Sequence, residues 1–202
     1  MRELPAAGEI TLGLLAGGRG GQRDGAPGVP EHEDDLARAL RFSRRFPGET
    51  GPVLIRVHGD ARRYAEAGMQ AVASHAGADA GPFADVAALA AACVTPWLLT
   101  LPVDVFDVND CLVRTLVRCA AGNGAVAEDD EGVQPRVALY RSQALRALLS
   151  ASSAGAGRSL SALQERLGLA PVRLAGVRFG QACRAGGPPR PLVALPRRAR
   201  DA

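Results

Sequence analysis

The run Glu9-Ile10-Thr11-Leu12-Gly13-Leu14-Leu15 is stopped at once by glycine, and this pattern constrains the chain most. A short, almost wholly apolar run without polar alternation suits a strand covered on both faces, as the central strand of a parallel sheet is. The same alternation of short apolar run and helical stretch recurs along the chain. Strands are expected over 53–57, 69–73 and 97–101, and helices over 34–45, 62–67 and 81–93. A helix over 110–121 with Asn109 as its N-cap follows, then strands over 125–127 and 136–140 around an acidic stretch, 128–132, read as a loop. Helices over 142–151 and 159–167 and a short strand over 172–174 complete the pattern. Strands and helices alternating this way predict one α/β domain with a mostly parallel sheet and right-handed crossovers, a Rossmann-like three-layer arrangement. The domain is expected over 1–184, with a Pro- and Arg-rich tail over 185–202.

Helix faces follow from spacing. Leu36, Ala39, Leu40 and Ser43 share one side of the first helix, and Leu112, Leu116 and Cys119 share one side of the helix after Asn109. The uncharged span 86–103 nominally reaches membrane length. Thr95-Pro96 divides it and its first half is rich in alanine, so it reads as a buried helix running into a buried strand.

The 202 residues, 47% hydrophobic and 22% charged, are ordinary globular composition and exclude disorder and collagen. The 24 basic residues against 21 acidic ones leave a net charge of +3, too little to argue for a nucleic-acid surface. Every one of those cations is arginine. That excludes a Schiff-base lysine, a Walker lysine and a lysine general base. Cys93, Cys111, Cys119 and Cys183 form no C-x-x-C pair and read as reduced thiols of a cytoplasmic protein. The first residues lack the basic and apolar regions of a secretory signal.

Ligands of such sheets gather beyond the carboxyl ends of the strands, so chemistry is sought after Leu15 and after Leu101. Residues 16–30 contain six glycines and two prolines and form an open loop. Within it Leu15-Ala16-Gly17-Gly18-Arg19-Gly20-Gly21 lets backbone N–H groups approach a phosphate, while Arg19 offers a charged fork. It is neither a Rossmann G-x-G-x-x-G nor a Walker A motif, and a plain glycine-rich turn is the alternative. Asp104, in Leu101-Pro102-Val103-Asp104, is a carboxylate at a strand end, suited to Mg²⁺ shared with substrate phosphates. Asp107 is a second candidate ligand, although Asp107 and Asp110 also suit the start of the next helix. His32, His58 and His75 lie too far apart in sequence to assemble a metal triad or a catalytic dyad from spacing. Arg44-Arg45, Arg62-Arg63 and Arg197-Arg198 read as solvated pairs.

The order of these pieces resembles the molybdenum cofactor guanylyltransferases, nucleotidyltransferases of glycosyltransferase A-like fold that join GMP from GTP to molybdopterin. The family's Leu-Ala-Gly-Gly is matched by Leu15 to Gly18, and its Gly-Pro-Leu-Ala-Gly by Gly81-Pro82-Phe83-Ala84-Asp85. Its strand ending in Pro-x-Asp is matched by Trp97 through Asp104, its Gln/His-Pro by Gln134-Pro135, and its Gly-Arg-Ser by Gly157-Arg158-Ser159. The resemblance implies GTP along 15–20, Asp104 as the Mg²⁺ ligand and molybdopterin as acceptor. It also implies molybdoenzymes or other cofactor-biosynthesis proteins as partners, and no nucleic acid or membrane.

The chain departs from the pattern where the family's loop reaches Asp-Lys, whose lysine holds the nucleotide phosphates: Pro27-Gly28 stands there. Arg19 and Arg23 are the cations that could replace part of the lost charge, although a planar fork is not equivalent to an ammonium. The family's Asn after its second strand falls near His58, its acidic guanine-pocket position near Ser74, and its closing Asn-x-Asn-Thr-Pro at Gln181-Ala182-Cys183-Arg184. Two other readings keep the fold: a non-catalytic relative that binds nucleotide or pterin, and a sugar-nucleotide transferase using Asp104 and Asp107 as an acid pair.

Overall fold

A computed structural model describes residues 5–16, 35–46, 48–57, 61–73, 81–103, 111–151 and 159–174. The tail expected over 185–202 lies outside them. The apolar first run becomes β1 (Ile10–Leu15), all six of its residues buried, as a strand covered on both faces requires. After it come α1 (Asp35–Ser43), β2 (Val53–Arg56), α2 (Arg62–Glu66), β3 (Gln70–Val72), α3 (Gly81–Ala92) and β4 (Trp97–Pro102). The second half contains α4 (Leu112–Cys119), β5 (Gly124–Asp129), β6 (Gly132–Arg141), α5 (Ser142–Ala151), α6 (Leu160–Leu167) and β7 (Ala170–Arg173).

The strands form one seven-stranded sheet in the order β3-β2-β1-β4-β6-β5-β7. β1 pairs in parallel with β2 and β4, β2 with β3, and β5 with β7. Only β6 is reversed, antiparallel to both β4 and β5. Two hydrophobic cores flank the sheet. One joins Ala39 and Phe42 of α1, Tyr64 of α2 and Leu112, Val113 and Leu116 of α4 to the sheet face bearing Leu12, Leu14 and Leu101. The other joins Val86, Leu89 and Ala90 of α3, Leu145 of α5 and Leu160, Leu163 and Leu167 of α6 to the face bearing Leu15, Leu54 and Leu98. The 86–103 span is accordingly a helix and a strand, and no helix among the described residues is long and apolar enough to cross a membrane.

Local chemistry explains the sharper boundaries. Ser159 caps α6 with its side-chain oxygen 3.1 Å from Ala162 N, and Gly168 ends it with a left-handed φ of 65°. Four expectations are corrected. In α1 the buried position falls to Phe42, while Ser43 is only partly buried and turns its hydroxyl to Leu40 O at 2.8 Å. In α4, Val113 takes the core place expected of Cys119, which is exposed. The helix starts after Cys111, which caps it without a side-chain hydrogen bond, and Asn109 lies outside the described residues. The acidic stretch 128–132 is no open loop, because Glu128 and Asp129 continue the ladder to Val133 and Gly132 and leave only a tight hairpin.

Candidate active site at the β1–β4 switch point

After β1 the chain builds outward through β2 and β3, then returns to the other side of β1 with β4. The sheet therefore reverses its direction of growth between β1 and β4, and the carboxyl ends at such a reversal are where ligands of open α/β sheets bind. Leu15 is in register with Arg56 on one side and Pro102 on the other. Backbone bonds carry this alignment past the strands: Val103 N donates to Leu15 O at 3.1 Å, Ala16 N to Arg56 O at 3.0 Å and Val57 N to Val72 O at 3.4 Å. Ala16 and Val103, both buried, thus leave the sheet side by side. Gly17, Gly18, Arg19, Arg23 and Asp104, which continue from these roots, lie outside the described residues, as do Asp107, Asp110, Gly28 and the three histidines. Leu15 and Ala16 are within them. Their side chains are packed into opposite cores, and Leu15 O and Ala16 N are already hydrogen-bonded.

One charged residue at this edge escapes sequence reasoning. Arg56 ends an apolar run yet is 2% exposed. Its Nη1 donates to Val57 O at 2.8 Å and Val72 O at 3.1 Å, tying the ends of β2 and β3 together. Its Nε lies 3.1 Å from Asp85 Oδ1 in the first half of α3. That contact is ionic without hydrogen-bond direction, since neither atom finds a hydrogen-bond partner despite the short distance. Asp85 stands where the resembled family has glycine, so anion and buried cation answer each other. The only signal in the sequence is an arginine inside Val53–Val57.

On the far side of β4 the same edge carries the β5–β6 hairpin and the end of β7. Asp129, 1% exposed, accepts from Glu131 N at 2.8 Å and from Gln134 Nε2 at 3.0 Å. Arg173 lies 3.6 Å from Glu128 and 3.4 Å from Asp130. Behind the hairpin, Tyr140 is fully buried, and burial pushes its phenol up to about 12 against the smaller opposing effects of Gln164 and Thr100. No group of three or more His, Cys, Asp or Glu among the described residues could hold a metal ion.

The amino end of the sheet carries a separate polar knot. Thr11 N donates to Thr95 Oγ1 at 3.0 Å, the two threonine hydroxyls lie 2.7 Å apart, and Cys93 Sγ is 3.3 Å from Ser142 Oγ. Burial raises the Cys93 thiol, but hydrogen bonds from Ser142, Thr95 and Thr11 outweigh it and leave the thiol below its ordinary value.

A mostly parallel sheet with this switch point and a reversed strand beside it defines an NTP-transferase-type α/β domain. Residues 35–168 match the model of the MobA-like NTP transferase domain, and the chain belongs to that family. A molybdenum cofactor guanylyltransferase of Cupriavidus necator is 29% identical over 160 residues, 75% of this chain and 80% of the relative. One from Ralstonia nicotianae is 31% identical over 134 residues, 63% of this chain and 66% of the relative. Among solved structures, a protein of Aquifex aeolicus VF5 (Aq1419) shares the fold at a TM-score of 0.67 and 13% identity, over 84% of this chain and 88% of that one. A 4-diphosphocytidyl-2C-methyl-D-erythritol synthase does so at 0.55 and 13%, over 82% and 89%.

Proposed function

We propose that the chain transfers GMP from GTP to molybdopterin with release of pyrophosphate. The family membership supports the class of reaction, and relatives named molybdenum cofactor guanylyltransferase support the acceptor. The observation that carries the reading is the register of β1: Leu15 lies beside Pro102, so the loop after one strand and Asp104 after the other start from adjacent roots. Leu15 and Ala16 anchor the loop, and Gly17 and Gly18 give a phosphate access to backbone N–H groups. Arg19 and Arg23 supply charge for the phosphates, and Asp104 would hold Mg²⁺, which neutralises phosphate charge when bound. A phosphate oxygen of molybdopterin forms the new bond to the α-phosphorus while the bond from that phosphorus to the departing pyrophosphate breaks. Positioning and charge neutralisation do the catalysis. Molybdoenzymes or other cofactor-biosynthesis proteins would receive the product in the cytoplasm.

Pro27-Gly28 in place of Asp-Lys favours one second reading, a relative that binds GTP without turning it over. Pyrophosphate release from GTP and molybdopterin, measured for the parent and for Gly28→Lys, separates the two. A charge-assisted phosphate contact is worth about 1.5–3 kcal/mol, roughly one to two decades in rate if it tightens in the transition state. Turnover that is slow in the parent and raised by the lysine supports transfer. Tight GTP binding with no pyrophosphate from either protein supports the non-catalytic reading.

A further inference from the structure

Among the described residues two large apolar side chains stay exposed, Val94 at 88% and Val133 at 46%. They stand at opposite ends of the sheet. Val94 lies in the turn between α3 and β4 at the amino end, while Val133 is the second residue of β6, in the hairpin at the carboxyl edge. β6 itself spans the gap, since it runs from Val133 to Arg141, whose guanidinium lies 4.8 Å from the centre of the Trp97 ring beside Val94. That length of strand is up to about 26 Å.

The turn that carries Val94 is pinned on both sides. The Thr95 hydroxyl donates to Trp97 O at 2.8 Å. That spends its one proton, so the Thr11 hydroxyl at 2.7 Å and Thr11 N at 3.0 Å both donate to Thr95 Oγ1. Arg146 Nη1 donates to Cys93 O at 2.9 Å on the other side. Val94 and the exposed Pro96 are thereby held facing solvent. The rim of this turn is cationic. Arg141 covers Trp97 and Arg146 braces Cys93, and neither meets a carboxylate among the described residues. Arg44 and Arg118, where α1 and α4 run out toward the same edge, likewise form no ion pair there. Of the acids at that edge, Glu9 holds Ala6 N at 2.9 Å and Glu49 holds Arg114 Nε at 2.7 Å, which leaves Glu165 on α6.

Val133 has the opposite surroundings. It pairs with Glu128 across the hairpin, whose turn adds the exposed Asp130 and Glu131. Arg173, 3.4 Å from Asp130 and 3.6 Å from Glu128, is one cation against three carboxylates. An apolar centre with a cationic rim complements one with an anionic rim, and the length of β6 keeps the two from meeting within one chain. We propose that the chain self-associates head to tail, the Val133 hairpin of one copy seated on the Val94–Trp97 turn of the next. Such a contact is heterologous, so it propagates into a ring or an open chain instead of stopping at a two-fold dimer. Exposed charged rims make it sensitive to salt, because the screening length falls to about 3 Å at about 1 M. Neither patch includes a residue assigned to nucleotide or Mg²⁺, so association is measured without turnover.

Sedimentation of the full chain over a concentration series tests this. The weight-average mass of the parent should rise to about twice that of one chain or more at low salt, and return to that of one chain at about 1 M NaCl. Val94→Asp sets an acid against the anionic hairpin and Val133→Arg a cation against the cationic turn, so each variant alone should sediment as one chain. Mixed in equal amounts they should regain the parental mass, because one junction joins two parental faces and the other joins the new acid to the new cation. Both positions are exposed, so melting temperatures should stay within about 2 °C of the parent's. If one variant fails to fold, the other decides alone by losing or keeping association. A parent that sediments as one chain at every concentration overturns the proposal, as do variants that stay single when mixed. Association that survives in Val133→Arg also overturns it, since the Val94 turns would then be meeting each other or another surface.

Discussion

Removing the Asp85 carboxylate should destabilise the fold far more than an ordinary helix-surface change. Its Oδ1 stands 3.1 Å from Arg56 Nε, with side chains 13% and 2% exposed. At an effective dielectric of about 20 the Coulomb attraction at that separation is on the order of 5 kcal/mol, but both ions also lose hydration, so this is not a net stability. The informative quantity is what remains after Asp85→Ala: a guanidinium buried without its counter-charge, for which one-sided removal costs about 3–5 kcal/mol. The two carbonyls held by Arg56 Nη1 partly compensate the cation and persist in the variant, which places the expected loss near ~3 kcal/mol. For a domain of this size that is about 6–12 °C in melting temperature. Arg56→Met in the Asp85→Ala background should recover part of the loss, since no unpaired ion is left buried although Val57 O and Val72 O lose the Arg56 donor. Urea unfolding of the parent, both single variants and the double variant closes the cycle. A loss below about 1 kcal/mol in Asp85→Ala, or losses that simply add in the double variant, would show that the pair is not an electrostatic unit.

Three further outcomes follow from single residues. Gly124→Ala should cost about 3 kcal/mol or more, or prevent folding, because Gly124 sits at φ 141° and a Cβ there would collide with the Leu139 carbonyl oxygen; urea unfolding reads it. Stability should fall as pH rises from 10 to 12, because the unfolded chain releases the Tyr140 proton near the ordinary 10 and the folded one only near 12. Tyr140→Phe should flatten that slope in unfolding midpoints measured across this range. Asp104→Asn should abolish the Mg²⁺ dependence of GTP binding and leave the melting temperature in place; titration calorimetry with and without Mg²⁺ reads the first and a thermal melt the second.

The strand-and-helix alternation was legible because it is written in local patterns: Ile10 to Leu15 cannot be half-solvated, and Gly81-Pro82 cannot continue an element into α3. Where the reading failed, two local patterns were both self-consistent and tertiary packing chose between them. In α4 a stripe through Leu112, Leu116 and Cys119 and one through Leu112, Val113 and Leu116 fit the helical period equally, and the sheet lies against the second. Acid-rich 128–132 reads as loop on composition. Asp129 is nonetheless buried, because its carboxylate serves the Glu131 N–H and the Gln134 amide.

That the ends of β1 and β4 meet was legible from the two motifs that follow them, while the buried polar residues around them were not. Arg56 needs Asp85 and the end of β3, and Gln164 needs Tyr140 and a bulge on β6, so each has meaning only once distant segments meet. The family match adds a distinction of its own. It spans 35–168, from the start of α1 to the glycine that ends α6, and so begins after the glycine-rich loop. The match therefore covers β2 to β6 with the helices between them and leaves out β1, and the departures at Pro27-Gly28 fall outside it. A lysine at position 28 therefore interrogates the loop outside the match, whereas Asp85→Ala interrogates the scaffold inside it.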